Sequence, residues 1–256
     1  MSKFRKIISS LAVTAFIGVA AGLGVGILTN EPADKMTLQD AAKASVQIGK
    51  YCSGTVIEDP DLSDGEQVTI ISAQHCLDGT QGVGTVLEIN IPNIVGNEYV
   101  SDKTVKAIVT SVSDKSDLIL IQILDAEEGR NLPKAKVYGG TPQFGDEVVA
   151  LGYPFGGLRT MTTGVLGYVE NLMYVFKTSC VFPSESCRYQ KATPGVAPGS
   201  SGGGLFKETD YGYQLIGVLT GGNPRAGFVN YYTPIDEIRE FLWSIGNKVA
   251  DDGESS

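Results

Sequence analysis

Three residues of this 256-residue chain are of types that could do chemistry together: one histidine, one aspartate leading an apolar run, and one serine among glycines. His75, the only histidine, lies in Ser72-Ala-Gln-His75-Cys76, directly after the apolar Val68–Ile71. Asp117 precedes the almost unbroken apolar run Leu118–Leu124. Ser201 lies in Pro198-Gly199-Ser200-Ser201-Gly202-Gly203-Gly204. Each has an ordinary reading by itself. A lone histidine at a strand end is usually structural or on the surface, an acid at a strand start is usually a solvated turn residue, and a Gly/Ser run is usually a linker. Taken together they match one reaction. A serine hydroxyl is a poor nucleophile until a neighbouring imidazole takes its proton, and a buried carboxylate must hold that imidazole in one tautomer. The tetrahedral oxyanion then needs backbone donors, and in a glycine-rich loop the N–H groups of Gly199 and Ser201 are the natural pair.

Chain order separates the serine hydrolases. Gly199-Ser200-Ser201-Gly202-Gly203 also fits the GxSxG pattern of α/β-hydrolases, but that fold needs its histidine after the serine. No histidine follows residue 75. The order His75, Asp117, Ser201 is the other one.

The elements that must hold these residues are short. Val68–Ile71, Val83–Ile91, Thr104–Thr110, Leu118–Leu124, Glu147–Leu151, Gly164–Val169, Met173–Phe176 and Gln214–Leu219 are β-branched or apolar runs bounded by turn residues. The Leu118–Leu124 run predicts a strand covered on both faces. With 32 glycines, 11 prolines and no βαβ rhythm, the chain reads as all-β, in antiparallel sandwiches or barrels of two similar halves. One helix is predicted late, from Pro234 to Ile245, with Thr233 as N-cap and Pro234 at the first helical position. Ile235, Ile238, Leu242 and Ile245 line one face with Phe241 beside them. Asn247–Ser256 reads as a frayed acidic tail.

At the other end, Lys3, Arg5 and Lys6 precede the charge-free run Ile7–Leu28, long enough to span a bilayer. An uncleaved signal anchor is the expectation, with a cleaved signal peptide as the alternative. Either way the chain after residue 30 is exported, to the periplasm or the exterior. The net charge of −9 argues against nucleic acid as a partner. Export permits disulfides among Cys52, Cys76, Cys180 and Cys187. Four cysteines allow three pairings, of which the simplest keeps neighbours together. With no CxxC pair and one histidine, neither a metal nor another cofactor is expected.

These motifs resemble those of chymotrypsin-fold serine proteases, most closely the bacterial HtrA-like and glutamyl-endopeptidase-like branch. Ser72–Cys76 resembles the family's "TAAHC" box, Ser116–Ile121 its "DLALL" strand, and Gly199–Gly203 its "GDSGG" loop. Cys52–Ile57 resembles the strand that opens the first disulfide, Phe144–Phe155 the start of the second barrel, and Leu215–Gly222 the strand lining the specificity pocket. The likeness runs in order from residue 46 to 245. It implies two six-stranded antiparallel β-barrels, over 46–131 and 132–233, with a C-terminal helix over 234–246; outside it the sequence reads as a membrane-spanning or signal helix over 1–28, a linker over 29–45 and a tail over 247–256. No PDZ domain is expected after the helix.

The resemblance implies an endopeptidase acting on polypeptides through His75, Asp117 and Ser201. It implies a Cys52–Cys76 disulfide that supports the histidine loop, and a Cys180–Cys187 bond closing a hairpin. It places Thr220 behind Asp117 and puts substrate backbone along Thr220, Gly221 and Gly222. Trypsin-like enzymes carry an acid where Gly195 stands, so a neutral pocket with a small or medium apolar preference is expected. Ser200 replaces the aspartate that digestive members pair with a newly cut N-terminus, which argues against zymogen control. The competing class is a catalytically silent protease-fold protein that binds or scaffolds at the membrane.

Overall fold

The computed structural model describes residues 35–58, 67–95, 98–172, 187–223 and 227–253. Helix α1 (Leu38–Lys43) opens them, and Thr37 caps it. The Thr37 hydroxyl accepts from the Asp40 N–H, while the Asp40 carboxylate accepts from the Thr37 N–H.

Six strands then close an antiparallel barrel: β1 (Ser45–Ile48), β2 (Cys52–Ile57), β3 (Thr69–Ser72), β4 (Val86–Val95), β5 (Glu98–Val112) and β6 (Ile119–Ile123). Their order is β1-β2-β3-β6-β5-β4, and β1 pairs with β4 to close it. After a short helix, α2 (Ala126–Gly129), the same order repeats. Strands β7 (Glu147–Gly152), β8 (Thr160–Leu172), β9 (Cys187–Ala192), β10 (Gly204–Thr209), β11 (Gly212–Gly222) and β12 (Asn230–Pro234) form a second closed barrel, with β7 next to β10. Helix α3 (Ile235–Gly253) follows. The expected pair of six-stranded antiparallel barrels with a C-terminal helix is therefore present.

Strand β6 shows why its sequence is almost wholly apolar. Ile119, Ile121 and Ile123 point into the first barrel with Val46, Ile70 and Val109. Leu118 and Leu120 face the other way, against Leu151, Phe206 and Leu215 of the second barrel and Ile238 and Phe241 of α3. A fully buried aliphatic side chain contributes about 1.5–3 kcal/mol. Leu118, Phe206, Leu215 and Ile238 are all completely buried in that shared cluster, so the seam between the barrels is a core rather than a loose contact. Leu242 and Ile245 pack at its margin, as the helix pattern predicts.

Four expectations need correction. Thr233 is not a helix cap: it lies in β12, and its hydroxyl pairs with that of Thr220 at 3.1 Å. Pro234 ends the strand opposite Gly217, so the helix starts at Ile235. The helix also runs on to Gly253 through the segment expected as tail, since no proline interrupts residues 235–253. Strand β4 begins at Val86 rather than Val83 and continues past Pro92, which is tolerated because β4 there pairs only with β5.

Met173–Phe176, Cys180 and the candidate span Ile7–Leu28 lie outside the described residues. Among the described residues no helix is long and apolar enough to cross a membrane, and no group of side chains is arranged to hold a metal.

Candidate active site

Strand β3 ends at Ser72, and the chain tightens into one 3-10 turn over Gln74–Cys76 that carries His75. The Cys52–Cys76 disulfide ties that turn to the start of β2. Asp117 sits in the loop between β5 and β6. The Ser113 hydroxyl accepts from the N–H groups of Lys115 (3.2 Å) and Ser116 (3.0 Å), and the Ser113 N–H donates to the Leu118 carbonyl (2.9 Å). This folded loop presents Asp117 inward, with only 3% of its surface exposed.

A carboxylate removed from water must be compensated by donors. His75 supplies two of them. Asp117 Oδ1 accepts from the His75 backbone N–H at 2.8 Å, and Oδ2 lies 2.7 Å from Nδ1. An ionised carboxylate only accepts, so the proton of a neutral imidazole belongs on Nδ1, leaving Nε2 as a base. The ring stays partly open, at 21% side-chain exposure.

The glycine loop of Ser201 comes from the second barrel and lies against this turn. The Ser201 carbonyl accepts from the Ser53 N–H at 2.7 Å, and the Cys76 sulfur is 3.7 Å from the same oxygen. A Cβ on Gly202 would fall 2.1 Å from Ser72 Oγ and 2.3 Å from the Ser53 carbonyl oxygen. Residues on both sides of His75 thus touch the segment carrying Ser201.

The two candidate oxyanion donors are fixed by what their neighbours bind. The Pro198 carbonyl accepts from the Phe155 N–H (2.6 Å), and the Ser200 carbonyl accepts from the Gly203 N–H (2.9 Å). In a trans peptide the N–H points away from the C=O. The Gly199 and Ser201 N–H groups are therefore turned away from those partners, and among the described residues neither donates to a protein acceptor. Gly199 adopts φ +99°, a conformation open to glycine and strained for other residues.

A trypsin-like peptidase domain model matches residues 52–218, from the first cysteine through the glycine loop to β11. The chain belongs to the trypsin-like peptidase family. It is a serine endopeptidase by that membership. No curated protein matches it by sequence. Among solved structures it is similar to the Rv3671c protease of M. tuberculosis in its inactive form, at 21% identity and a TM-score of 0.58, covering 81% of this chain and 91% of that one. It is similar to the active form of the same protease at 20% identity and a TM-score of 0.57, over 94% and 95% of the two chains. The HtrA-type protease AlgW matches at 20% identity with a TM-score of 0.57, over 81% of this chain and 61% of that one. The serine endoprotease of Yersinia pestis matches at 18% and 0.55, over 82% and 65%.

Within this peptidase fold the remaining expected site residues separate. The Thr220 hydroxyl bonds to Thr233, and among the described residues the Asp117 carboxylate is bonded by His75 alone. Thr220 lies where the β11–β12 register shifts, and the strand there directs its side chain to the neighbouring strand. Gly221 and Gly222 end β11 opposite Tyr231 and Asn230. Gly195 is exposed and its carbonyl accepts from the Thr162 hydroxyl at 2.8 Å. It also lines a mostly apolar cavity of about 240 Å³ behind the glycine loop, with Val196, Ala197, Ser200 and Tyr232.

Sequence reasoning misses two residues here. Asn230 is buried, donates to the Pro194 carbonyl at 2.6 Å, and has its Oδ1 at 2.5 Å from where a Gly222 Cβ would be. A Val196 methyl lies 3.5 Å from the same point. Ser53, the second, is taken up below. The Cys52–Cys76 bond is present as expected, whereas Cys180 lies outside the described residues. It closes a sequence separation of 24 residues, for which loop-closure entropy gives about 3–4 kcal/mol. Reduction is expected to lower the melting temperature by roughly 6–16 °C in a protein of this size and to depress activity before global unfolding. Parallel thermal scans and assays with and without dithiothreitol would show it, and an unchanged activity in the reduced folded protein would remove the disulfide from support of the site.

Proposed function

We propose that this peptidase cleaves internal peptide bonds at the barrel seam through Ser201, His75 and Asp117. The observation that carries the reading is the grip of one buried carboxylate on both the main chain and the ring of the only histidine in the chain. Nε2 of His75 takes the Ser201 hydroxyl proton as Oγ attacks the scissile carbonyl. The resulting oxyanion is received by the N–H groups of Gly199 and Ser201. The imidazolium, stabilised by Asp117, returns its proton to the leaving amine, and an ester on Ser201 remains. Water then repeats the sequence with His75 as base, releasing the acid and the free hydroxyl.

The pocket lined by Gly195, Val196 and Ala197 carries no charge at those positions, which supports a neutral side chain before the cut and disfavours Arg, Lys and Glu there. Substrate backbone pairs with the free edge at Thr220–Gly222. The Cys52–Cys76 bond supports an oxidising compartment, and with it the placement of the catalytic domain outside the cytoplasm behind an Ile7–Leu28 anchor.

The test is covalent labelling by a fluorophosphonate probe. The wild type should be labelled stoichiometrically and the Ser201→Ala variant not at all. A folded wild type that resists labelling would favour a silent binding protein instead.

A further inference from the structure

We propose that Ser53, on the first barrel, is a positioning residue of the oxyanion site. This rests on the peptidase reading above and assigns a role to a residue that touches neither the substrate nor the reacting atoms.

Ser53 is completely buried in β2 and makes four hydrogen bonds that reach three other segments. Its N–H donates to the Ser201 carbonyl at 2.7 Å. Its hydroxyl donates to the Gly199 carbonyl at 2.8 Å and accepts from the Tyr153 N–H at 2.9 Å. Its own carbonyl accepts from the Ser72 hydroxyl at 2.7 Å, three residues before His75. One residue of the first barrel therefore ties together the histidine strand, the glycine loop and the end of β7.

The direction of these bonds matters. The Tyr153 N–H occupies the acceptor side of the hydroxyl, so its proton is free to go to the Gly199 carbonyl. That carbonyl belongs to the peptide plane after Gly199, while the Phe155 N–H holds the plane before it. Both torsions of a glycine at φ +99° are thereby set from outside. Glycine lacks a side chain to restrict it, and without the Ser53 hydroxyl the plane after it would keep only the Ser200 N–H bond to the Ala197 carbonyl, at 3.0 Å. The Gly199 N–H lies on the plane before the glycine and keeps its aim only while the plane after it is also fixed; with the Ser53 bond lost the two planes can turn about Gly199, and that N–H leaves the position the oxyanion occupies, with Ser201, His75 and the substrate edge unchanged. The effect belongs to the transition state, where the charge develops, and not to substrate binding.

Ser53→Ala is expected to lower kcat about 10–100-fold with KM within about twofold, since loss of one oxyanion donor outright costs about 10²–10³. The affinity for a peptide aldehyde, whose adduct with Ser201 carries an oxygen at the oxyanion position, should fall by the same factor. The pH profile of kcat/KM should keep its shape and position. Rates are expressed per site titrated by the fluorophosphonate, so that misfolded protein is not counted. Ser53→Thr should restore kcat to within about threefold of wild type, while the isosteric Ser53→Val should behave like Ser53→Ala. The Thr/Val pair has the same shape and differs in the hydroxyl alone, and valine favours a strand, so it answers the question even if Ser53→Ala does not fold. Equal kcat and equal aldehyde affinity in the Thr and Val variants would overturn the proposal while a labelled wild type leaves the peptidase reading standing. A wild type that is not labelled overturns both.

Discussion

The Asp117→Asn variant is expected to fold normally and to lose about four orders of magnitude in kcat, with little change in KM. The carboxamide matches the carboxylate in size, and its oxygen can still accept from the His75 backbone N–H, so the buried loop keeps one of its two bonds to the histidine turn. The second bond changes in kind. Beside Nδ1, at the 2.7 Å contact, an amide NH2 donates where the carboxylate accepted. The imidazole then keeps its proton on Nε2 and has no lone pair for the Ser201 hydroxyl. An imidazolium formed despite this would face a neutral dipole in place of a charge. Replacing the acid of such a triad by its amide costs about 10⁴ in kcat. Steady-state kinetics on a protein or peptide substrate, with a thermal scan to show that the fold survives, would check this. A kcat within tenfold of wild type would mean that another group orients His75, and the functional reading would have to be rebuilt around it.

That prediction could be framed from residue types alone, and this marks what the sequence makes legible. His75, Asp117 and Ser201 stand out because each is chemically out of place: a lone imidazole after an apolar strand, an acid before a doubly buried one, a hydroxyl in a run of glycines. The barrel strands that could be read are those with a plain apolar pattern, such as β3, β6 and β7. Strand β9, Cys187–Ala192, carries no such pattern, because Arg188, Gln190 and Lys191 interrupt any apolar alternation. Strand β12 is five residues long and ends on a proline that reads as a helix start. Pro92 hides the continuation of β4 for a similar reason: a proline is kept out of strands paired on both sides but is tolerated where its N side is unpaired. Thr220 and Thr233 show a further limit. They bond to each other across β11 and β12, a neighbourhood set by register that no local pattern encodes. Ser53 and Asn230 escaped notice because a serine in a strand and an asparagine after a turn are ordinary. Their weight comes from carbonyls that are distant in sequence, at Gly199 and Pro194.

Gly202→Ala is expected to be the most damaging glycine-to-alanine change among the described residues. Its cost has two parts that can be measured apart. The first is conformational: Gly202 holds φ +81°, where an L-residue is strained by about 1 kcal/mol. The second is spatial. The added Cβ would lie 2.1 Å from Ser72 Oγ, 2.3 Å from the Ser53 carbonyl oxygen and 2.9 Å from the Ala73 backbone nitrogen. Two of those three atoms are backbone. The third is the hydroxyl that donates to the Ser53 carbonyl, so it is not free to swing aside. The loop must therefore retreat, taking Ser201 with it and stretching the Ser53–Ser201 backbone bond. Overpacking adds about 1–3 kcal/mol, so the sum is about 2–4 kcal/mol, or roughly 4–16 °C in melting temperature. A displacement of about 1 Å at the nucleophile costs about 10² in rate by itself. Gly84→Ala is the control: it has φ +90° with nothing within 4 Å of the added methyl. It should show only the conformational part, about 1 kcal/mol, with unchanged kcat. If Gly202→Ala is no worse than Gly84→Ala in both stability and kcat, the glycine loop is not packed on the histidine turn as described. The placement of Ser201 beside His75 would then lose its main structural support.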